Sequence, residues 1–254
     1  MFAMSSSVAR ICYDEATAAA YRAAREIPRD GLSEWREAVR RHLEPSPGMT
    51  LVDIGAGTGQ FSVAFRDWFD IDVVAVEPSA AMRARIPRTE AIRVLEGDAG
   101  ALPLPAASTD AAWLSLVLHH VADLDAAAHE IRRVLRPRAP VLVRQGFPGR
   151  LDEVELVRWF PETARAVQTY PSVEAVCDAF KAAGFRMDAL ERVRETYPTS
   201  LADLLGDLDT LRHADTTRRG LTADEFLRGK ERVRRAARTD HEPRSNGLDL
   251  LVLR

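Results

Sequence analysis

Cysteine is nearly absent, with Cys12 and Cys177 the two in a chain of 254 residues. Two are too few for a disulfide framework, and neither has partners at zinc-ligand spacing, so each reads as a buried or free thiol in a reducing compartment. Lysine is as scarce, with Lys181 and Lys230 alone, and arginine carries the rest of the positive charge. The net charge of -3 leaves no surplus of one sign to recruit nucleic acid or an anionic membrane. No run approaches the roughly 20 apolar residues of a membrane span, and no basic region leads into a long apolar stretch at the start of the chain. The composition therefore predicts a cytoplasmic protein without membrane or nucleic-acid partners. It also lacks internal repeats and low-complexity linkers.

What is present is a hydrophobic fraction of 46%, enough for one large core or a core with a cap. Helical periodicity is weak around 13–25 and clearer at 33–43, where Trp35, Val39 and Leu43 recur every four residues. Short strand-like runs follow at 49–54, 72–76, 92–95, 111–117 and 140–144, alternating with helical segments. One of those starts at Ser79; another carries Leu124, Ala128, Ile131 and Leu135, capped by Asp123 and stopped by Pro137. Such alternation predicts an α/β fold with a parallel sheet covered on both faces. Beyond Gly146 come an irregular stretch, a helix with Val173, Val176 and Phe180, and an extended candidate at 185–197. Ser200 and Thr222 then open two helical segments, with Asp203 and Glu225 at capping-box spacing, before a last strand at 248–253. The run Arg228, Lys230, Arg232, Arg234, Arg235 and Arg238 is interrupted by Glu231 and reads as a solvated helix face.

The stretch Leu51-Val52-Asp53-Ile54-Gly55-Ala56-Gly57-Thr58-Gly59-Gln60 is the most informative. A glycine-rich turn between strand and helix lets a ligand approach the backbone, where open α/β sheets bind their ligands. The dinucleotide fingerprint requires a third glycine at position 60, which is Gln60. Asp53 at the mouth of the loop would repel a diphosphate but attract a ligand bearing an ammonium or sulfonium. These two residues oppose a nicotinamide-dependent dehydrogenase and favour S-adenosylmethionine.

Asp53-Ile54-Gly55-Ala56-Gly57-Thr58-Gly59 resembles the first motif of class I S-adenosylmethionine-dependent methyltransferases. Val76-Glu77-Pro78-Ser79 is similar to the end of that family's second strand, Gly97-Asp98-Ala99 to the loop after the third, and Leu114 to Val121 with Arg133-Val134-Leu135-Arg136-Pro137 to the fourth strand and the helix beyond. Together the motifs cover residues 46–145. The resemblance implies a doubly wound, mostly parallel seven-stranded sheet with helices on both faces and an antiparallel last strand. It divides the chain into a helical cap at 1–44, a cofactor-binding core at 45–198, a helical lid at 199–240 and the last strand at 241–254.

The implied cofactor is S-adenosyl-L-methionine, its product S-adenosyl-L-homocysteine, with no metal. Asp53, Gly55, Ala56, Gly57, Gly59, Gln60, Glu77, Pro78, Asp98, Ala99 and Ser115 are its implied contacts, Glu77 for the ribose hydroxyls and Asp98 with Ala99 for adenine. His119 and His120 are the candidate bases. In an extended loop they would point to opposite sides, with a pKa near the unperturbed value of about 6.5. Tyr13 and Tyr21 are candidates for covering the cofactor or for packing, and Arg144 for binding an acceptor carboxylate or for a salt bridge. The chain departs from the family at Arg138-Ala139, where a glycine pair is usual, and at Gln145, near which some members carry an aspartate that would orient a histidine. No Asp/Asn-Pro-Pro-Tyr signature of base-amino methylation follows the fourth strand. The expectation is a methyltransferase for an O, N or C atom of a small molecule, possibly in secondary metabolism, as a monomer or homodimer. The alternative is a non-catalytic S-adenosylmethionine-binding regulator or scaffold.

Overall fold

The computed structural model describes residue 15 and residues 27–254 without residue 215. The expected helix around 13–25 therefore lies outside the described residues, as do Tyr13, Tyr21 and Cys12. Strands β1 (Thr50–Ile54), β2 (Asp72–Val76), β3 (Ile92–Leu95), β4 (Ala111–Ser115), β5 (Val141–Gln145), β6 (Met187–Thr196) and β7 (Ser245–Leu253) form one sheet. Its order is β3-β2-β1-β4-β5-β7-β6.

The first five strands pair in parallel, and β7 runs antiparallel to both β5 and β6. The central strands are short, almost wholly apolar runs because helices cover both faces and no alternation with water is required. β7 starts at Ser245, three residues before the expected 248, because pairing with β6 continues to Ser245 and holds polar residues in the ladder. β1 is flanked by β2 on one side and β4 on the other. Strand order reverses there, which opens a crevice at the carboxyl ends of the strands.

Helices α1 (Ser33–Leu43) and α2 (Gln60–Phe69) lie on one face, burying Trp35, Phe61 and Phe65 against Leu51, Trp113 and Leu142. Trp35 meets Trp113 edge-on at 6.0 Å. After the short α3 (Ala80–Arg83), helix α4 (Leu124–Val134) covers the other face. It is joined there by α7 (Val173–Ala182), beyond the short α5 (Glu155–Trp159) and α6 (Ala164–Val167). Ile131, Val176 and Phe180 pack on Val52, Leu114 and Val143. Each such side chain contributes about 1.5 to 3 kcal/mol by leaving water.

A third core belongs to α8 (Leu201–Ala214), α9 (Thr216–Arg219) and α10 (Ala223–Ala236). Leu204, Leu208, Phe226 and Val233 gather on Trp159 and Phe160, so these helices rest on the α5 region. Gly229 permits the contact, since a Cβ there would lie 2.1 Å from the Phe160 ring. Thr222 and Glu225 form a reciprocal capping box, and Ser200 and Asp203 exchange bonds in the same way. At the departure noted after α4, Arg138 takes φ 67°, a left-handed conformation that favours glycine and costs a side-chain-bearing residue about 1 to 2 kcal/mol.

Candidate functional site

The loop between β1 and α2 sits at the reversal point. Gly55 and Ala56 donate their N–H groups to the carbonyl of Val76 at 2.8 and 3.1 Å, which ties the loop to the end of β2. Gly55 has φ 70° and a Cβ there would stand 2.4 Å from Val117, so the first glycine is required by packing against the exit of β4. Gly57 differs. Its φ is 57°, and a Cβ there would meet nothing within 4 Å among the described residues, which leave this stretch of backbone open. Gly59 caps α2. Gln60 leaves the site, donating from Nε2 to the carbonyl of Ile27 at 3.0 Å.

Asp53 is 2% exposed, and this corrects its expected place at the mouth of the loop. Strand alternation turns it toward α2, the same side as Leu51, where its carboxyl accepts from the Ser62 hydroxyl at 2.5 Å. Burial pushes its pKa up to about 7, opposed by the Ser62 bonds and reinforced by the charge of Glu77. Ser62 carried no signal of its own, being a small polar residue beside Phe61 on a helix face that is otherwise apolar.

Glu77 is likewise buried. Its carboxylate accepts from Gly57 N–H and from Ser79 N–H, both at 2.9 Å, and burial raises its pKa despite these bonds. The structure thus brings Asp53, Gly57 and Glu77 together at the ends of β1 and β2, with Pro78 exposed just beyond. Asp98 is exposed, accepting from Gly100 N–H at 2.9 Å, while Ala99 beside it is buried.

At the exit of β4, Ser115 accepts a hydrogen bond from Arg144 at 3.1 Å. Leu116 then adopts φ 53°, a strained turn of the kind that clusters at functional sites. The two histidines follow on a 3₁₀ turn, Leu118–His120, where an extended loop had been expected. Their rings are therefore neighbours at 4.1 Å, and His119 stacks on Tyr170 at 4.2 Å. Burial lowers the pKa of His120, so the unperturbed value does not apply to it. Beside His119 lies an open cavity of about 400 Å³, walled by Leu118, Val121, Leu124 and Pro171. Tyr170, on the loop before α7, was not singled out in the sequence.

Arg144 is salt-bridged, to Glu195. Gln145 faces Asp249 across the β5–β7 ladder, so an acid does stand beside position 145. Asp249 is fully buried, and its carboxylate accepts from Arg150 and Arg192. Among the described residues no group of three or more His, Cys, Asp or Glu side chains could hold a metal ion. No described helix is long and apolar enough to cross a membrane.

Residues 52–143 match the family model of a methyltransferase domain. The chain is 33% identical over 192 residues to malonyl-[acyl-carrier protein] O-methyltransferase of Methylococcus capsulatus, covering 70% of this chain and 66% of that one. It is 36% identical over 116 residues to the ubiquinone/menaquinone biosynthesis C-methyltransferase UbiE of Caulobacter vibrioides, covering 41% and 46%. The match thus spans about half the length of that relative. Among solved structures, the [4+2]-cyclase SpnF superposes with a TM-score of 0.61 at 21% identity, covering 91% of this chain and 84% of that one. Geranyl diphosphate C-methyltransferase from Streptomyces coelicolor, solved with Mg2+, geranyl diphosphate and S-adenosyl-L-homocysteine, gives 0.54 at 18%, covering 87% and 77%. With this fold and domain, the chain belongs to the class I S-adenosylmethionine-dependent methyltransferases.

Proposed function

We propose that the crevice binds S-adenosylmethionine and that the chain transfers its methyl group to a small-molecule acceptor. One observation carries this reading: the buried acid Glu77 accepts from the backbone of Gly57, which is open among the described residues, while a second buried acid, Asp53, stands at the end of β1 within electrostatic reach of Glu77. Two carboxyls that burial makes reluctant to ionise, beside open space, suit a ligand that is cationic and donates hydrogen bonds, and disfavour a diphosphate. When bound, S-adenosylmethionine supplies an electrophilic methyl carbon on a sulfonium. Gly55, Ala56, Gly57 and Gly59 would form its floor with Gln60 behind. Glu77 would accept from the ribose hydroxyls in place of its present bond to Gly57, beside Pro78. Asp98 and Ala99 would receive adenine, and Ser115 would close the side toward β4.

The remaining chemistry is positioning. An in-line displacement needs the acceptor held at roughly 3 Å and water kept out. The cavity beside His119, whose wall comes from residues 118–124 and 169–171, is the place for the acceptor; residues 45–198 make the core, 1–44 an N-terminal cap, 199–240 a helical lid resting on the α5 region and 241–254 the closing strand. His120, kept neutral by burial, is in the form that can accept a proton at a ring nitrogen, and His119 is held by Tyr170. Either can serve as the base for a hydroxyl or ammonium acceptor. The relatives act in quinone biosynthesis and on a malonyl group carried by a protein, so an O or C atom of a metabolite is the acceptor class favoured. Natural-product biosynthesis, a cytoplasmic location and a monomeric or homodimeric state belong to the same reading.

A second reading is supported by SpnF, whose fold serves a cyclase: the chain would hold S-adenosylmethionine as a regulator or scaffold without transferring the methyl group. Incubation with methyl-labelled cofactor and a metabolite panel separates the two. Label in a small product supports transfer; cofactor binding with no labelled product across the panel favours the scaffold.

A further inference from the structure

The side of the crevice toward β4 contains a buried ionic device that cofactor binding as described above does not use. Arg144 is 4% exposed and Glu195 is 1% exposed. The Arg144 guanidinium donates through Nη2 to Glu195 and through Nη1 to the Ser115 hydroxyl oxygen at 3.1 Å. The guanidinium also contacts two rings, 5.3 Å from the centre of Trp35 and 5.2 Å from that of Phe61. Glu195 is fixed in turn, accepting from Tyr197 Oη at 3.0 Å and from Asn246 Nδ2 at 2.7 Å. Glu195 is thus held from two further directions, which fixes the position of the guanidinium it binds.

That position has a chemical consequence for Ser115. Arginine carries donors only, so the serine oxygen must accept, and one of its lone pairs is filled by a cation. The hydroxyl hydrogen is left to point elsewhere. Ser115 is half-buried and lies one residue past the pairing of Leu114 with Ile54, level with Gly55 at the start of the glycine loop. A hydroxyl whose oxygen is bonded to a guanidinium is a strengthened donor and a poor acceptor, so it selects an anionic oxygen and rejects an ammonium. Glu77, at the end of β2 on the other side of β1, has the reverse preference.

We infer that Arg144, locked by Glu195, is a positioning residue that turns the Ser115 hydroxyl into a donor for the carboxylate of the cofactor's amino-acid end. This assignment rests on the reading of the crevice as an S-adenosylmethionine site. It also explains why an arginine at the end of β5 is unavailable to an acceptor carboxylate.

The test compares two ligands on the whole chain: S-adenosylmethionine, and 5′-methylthioadenosine, which lacks the amino-acid end. Ser115→Ala should weaken S-adenosylmethionine roughly 10- to 100-fold and leave 5′-methylthioadenosine unchanged, while Ser115→Thr retains both affinities. Arg144→Met should weaken S-adenosylmethionine without further loss when combined with Ser115→Ala, because its effect passes through the same hydroxyl. Since Arg144→Met strands Glu195 in the interior, the pair Arg144→Met with Glu195→Leu serves as the folded alternative, checked by thermal melting. Equal losses for both ligands, an unaltered S-adenosylmethionine affinity in Ser115→Ala, or independent losses that multiply in the double variant would each overturn the inference. Those results are distinct from wild type failing to bind S-adenosylmethionine at all, which would overturn the proposed function with it.

Discussion

Replacing Asp53 by Asn removes a titrating group while keeping the shape of the side chain and an oxygen for the Ser62 hydroxyl. In the ligand-free protein the carboxyl pKa rises from 3.8 to about 7, chiefly through burial. Each unit corresponds to about 1.4 kcal/mol, so holding this group ionised in the fold costs roughly 4 kcal/mol. The sign follows from proton counting. Between the two values the folded state keeps a proton that the unfolded chain has released, so stability falls as pH rises from about 4 to about 7 and then levels. Glu77, whose pKa burial also raises, adds a fall in the same direction. Denaturant unfolding of wild type and Asp53→Asn at pH 5, 6, 7 and 8 measures the effect. With the neutral amide standing in for the protonated carboxyl, the variant should exceed wild type by about 2 kcal/mol at pH 5 and by about 4 kcal/mol at pH 8, with a shallower pH slope. At about 2 to 4 °C per kcal/mol for a domain of this size, melting curves resolve the same difference. A stability difference that is constant across the four pH values would refute the reasoning, since burial of a titrating carboxyl cannot act without a pH dependence.

Gly57→Ala should cost about 1 to 2 kcal/mol through its left-handed backbone and abolish S-adenosylmethionine binding by filling the open face, read by denaturation and calorimetry on one sample. Arg138→Gly, which relieves the same kind of strain at an exposed position remote from the crevice, should raise stability by about 1 kcal/mol and leave binding unchanged. Gly229→Ala presses a methyl into Phe160 and should cost about 1 to 3 kcal/mol, with proteolysis showing cleavage within 199–240 before the sheet is cut. If His120 is the base, His120→Ala should lower single-turnover rate roughly 100- to 10,000-fold with cofactor affinity nearly constant. Its lowered pKa places the acid limb of the rate profile below pH 6.5, whereas a limb above that value would exclude it.

Periodicity and motif order were enough to place the parallel strands, and the Asp53 to Gly59 run was enough to place the crevice. What they could not supply was side-chain direction. Asp53 alternates toward α2 and finds Ser62, a contact made across a turn and invisible as a pattern. An extended loop after a strand at 111–117 sets the two histidines on opposite sides, whereas the left-handed Leu116 ends the strand early and a 3₁₀ turn follows at Leu118–His120. The Arg144–Glu195 pair joins residues 51 positions apart in sequence. It depends on β7 inserting between β5 and β6, and no local spacing reports that. The same insertion sets Asp249 opposite Gln145.

Calorimetric titration with S-adenosylmethionine at pH 6 and pH 8, in buffers of different ionisation enthalpy and with NAD as the comparison ligand, tests the central claim most directly. A cationic ligand beside Asp53 should favour the ionised carboxylate, so S-adenosylmethionine is predicted to bind, to release protons at pH 6, and to bind more tightly at pH 8, while NAD gives no binding heat. Binding of NAD in preference to S-adenosylmethionine, or no binding of S-adenosylmethionine at either pH, would contradict the account.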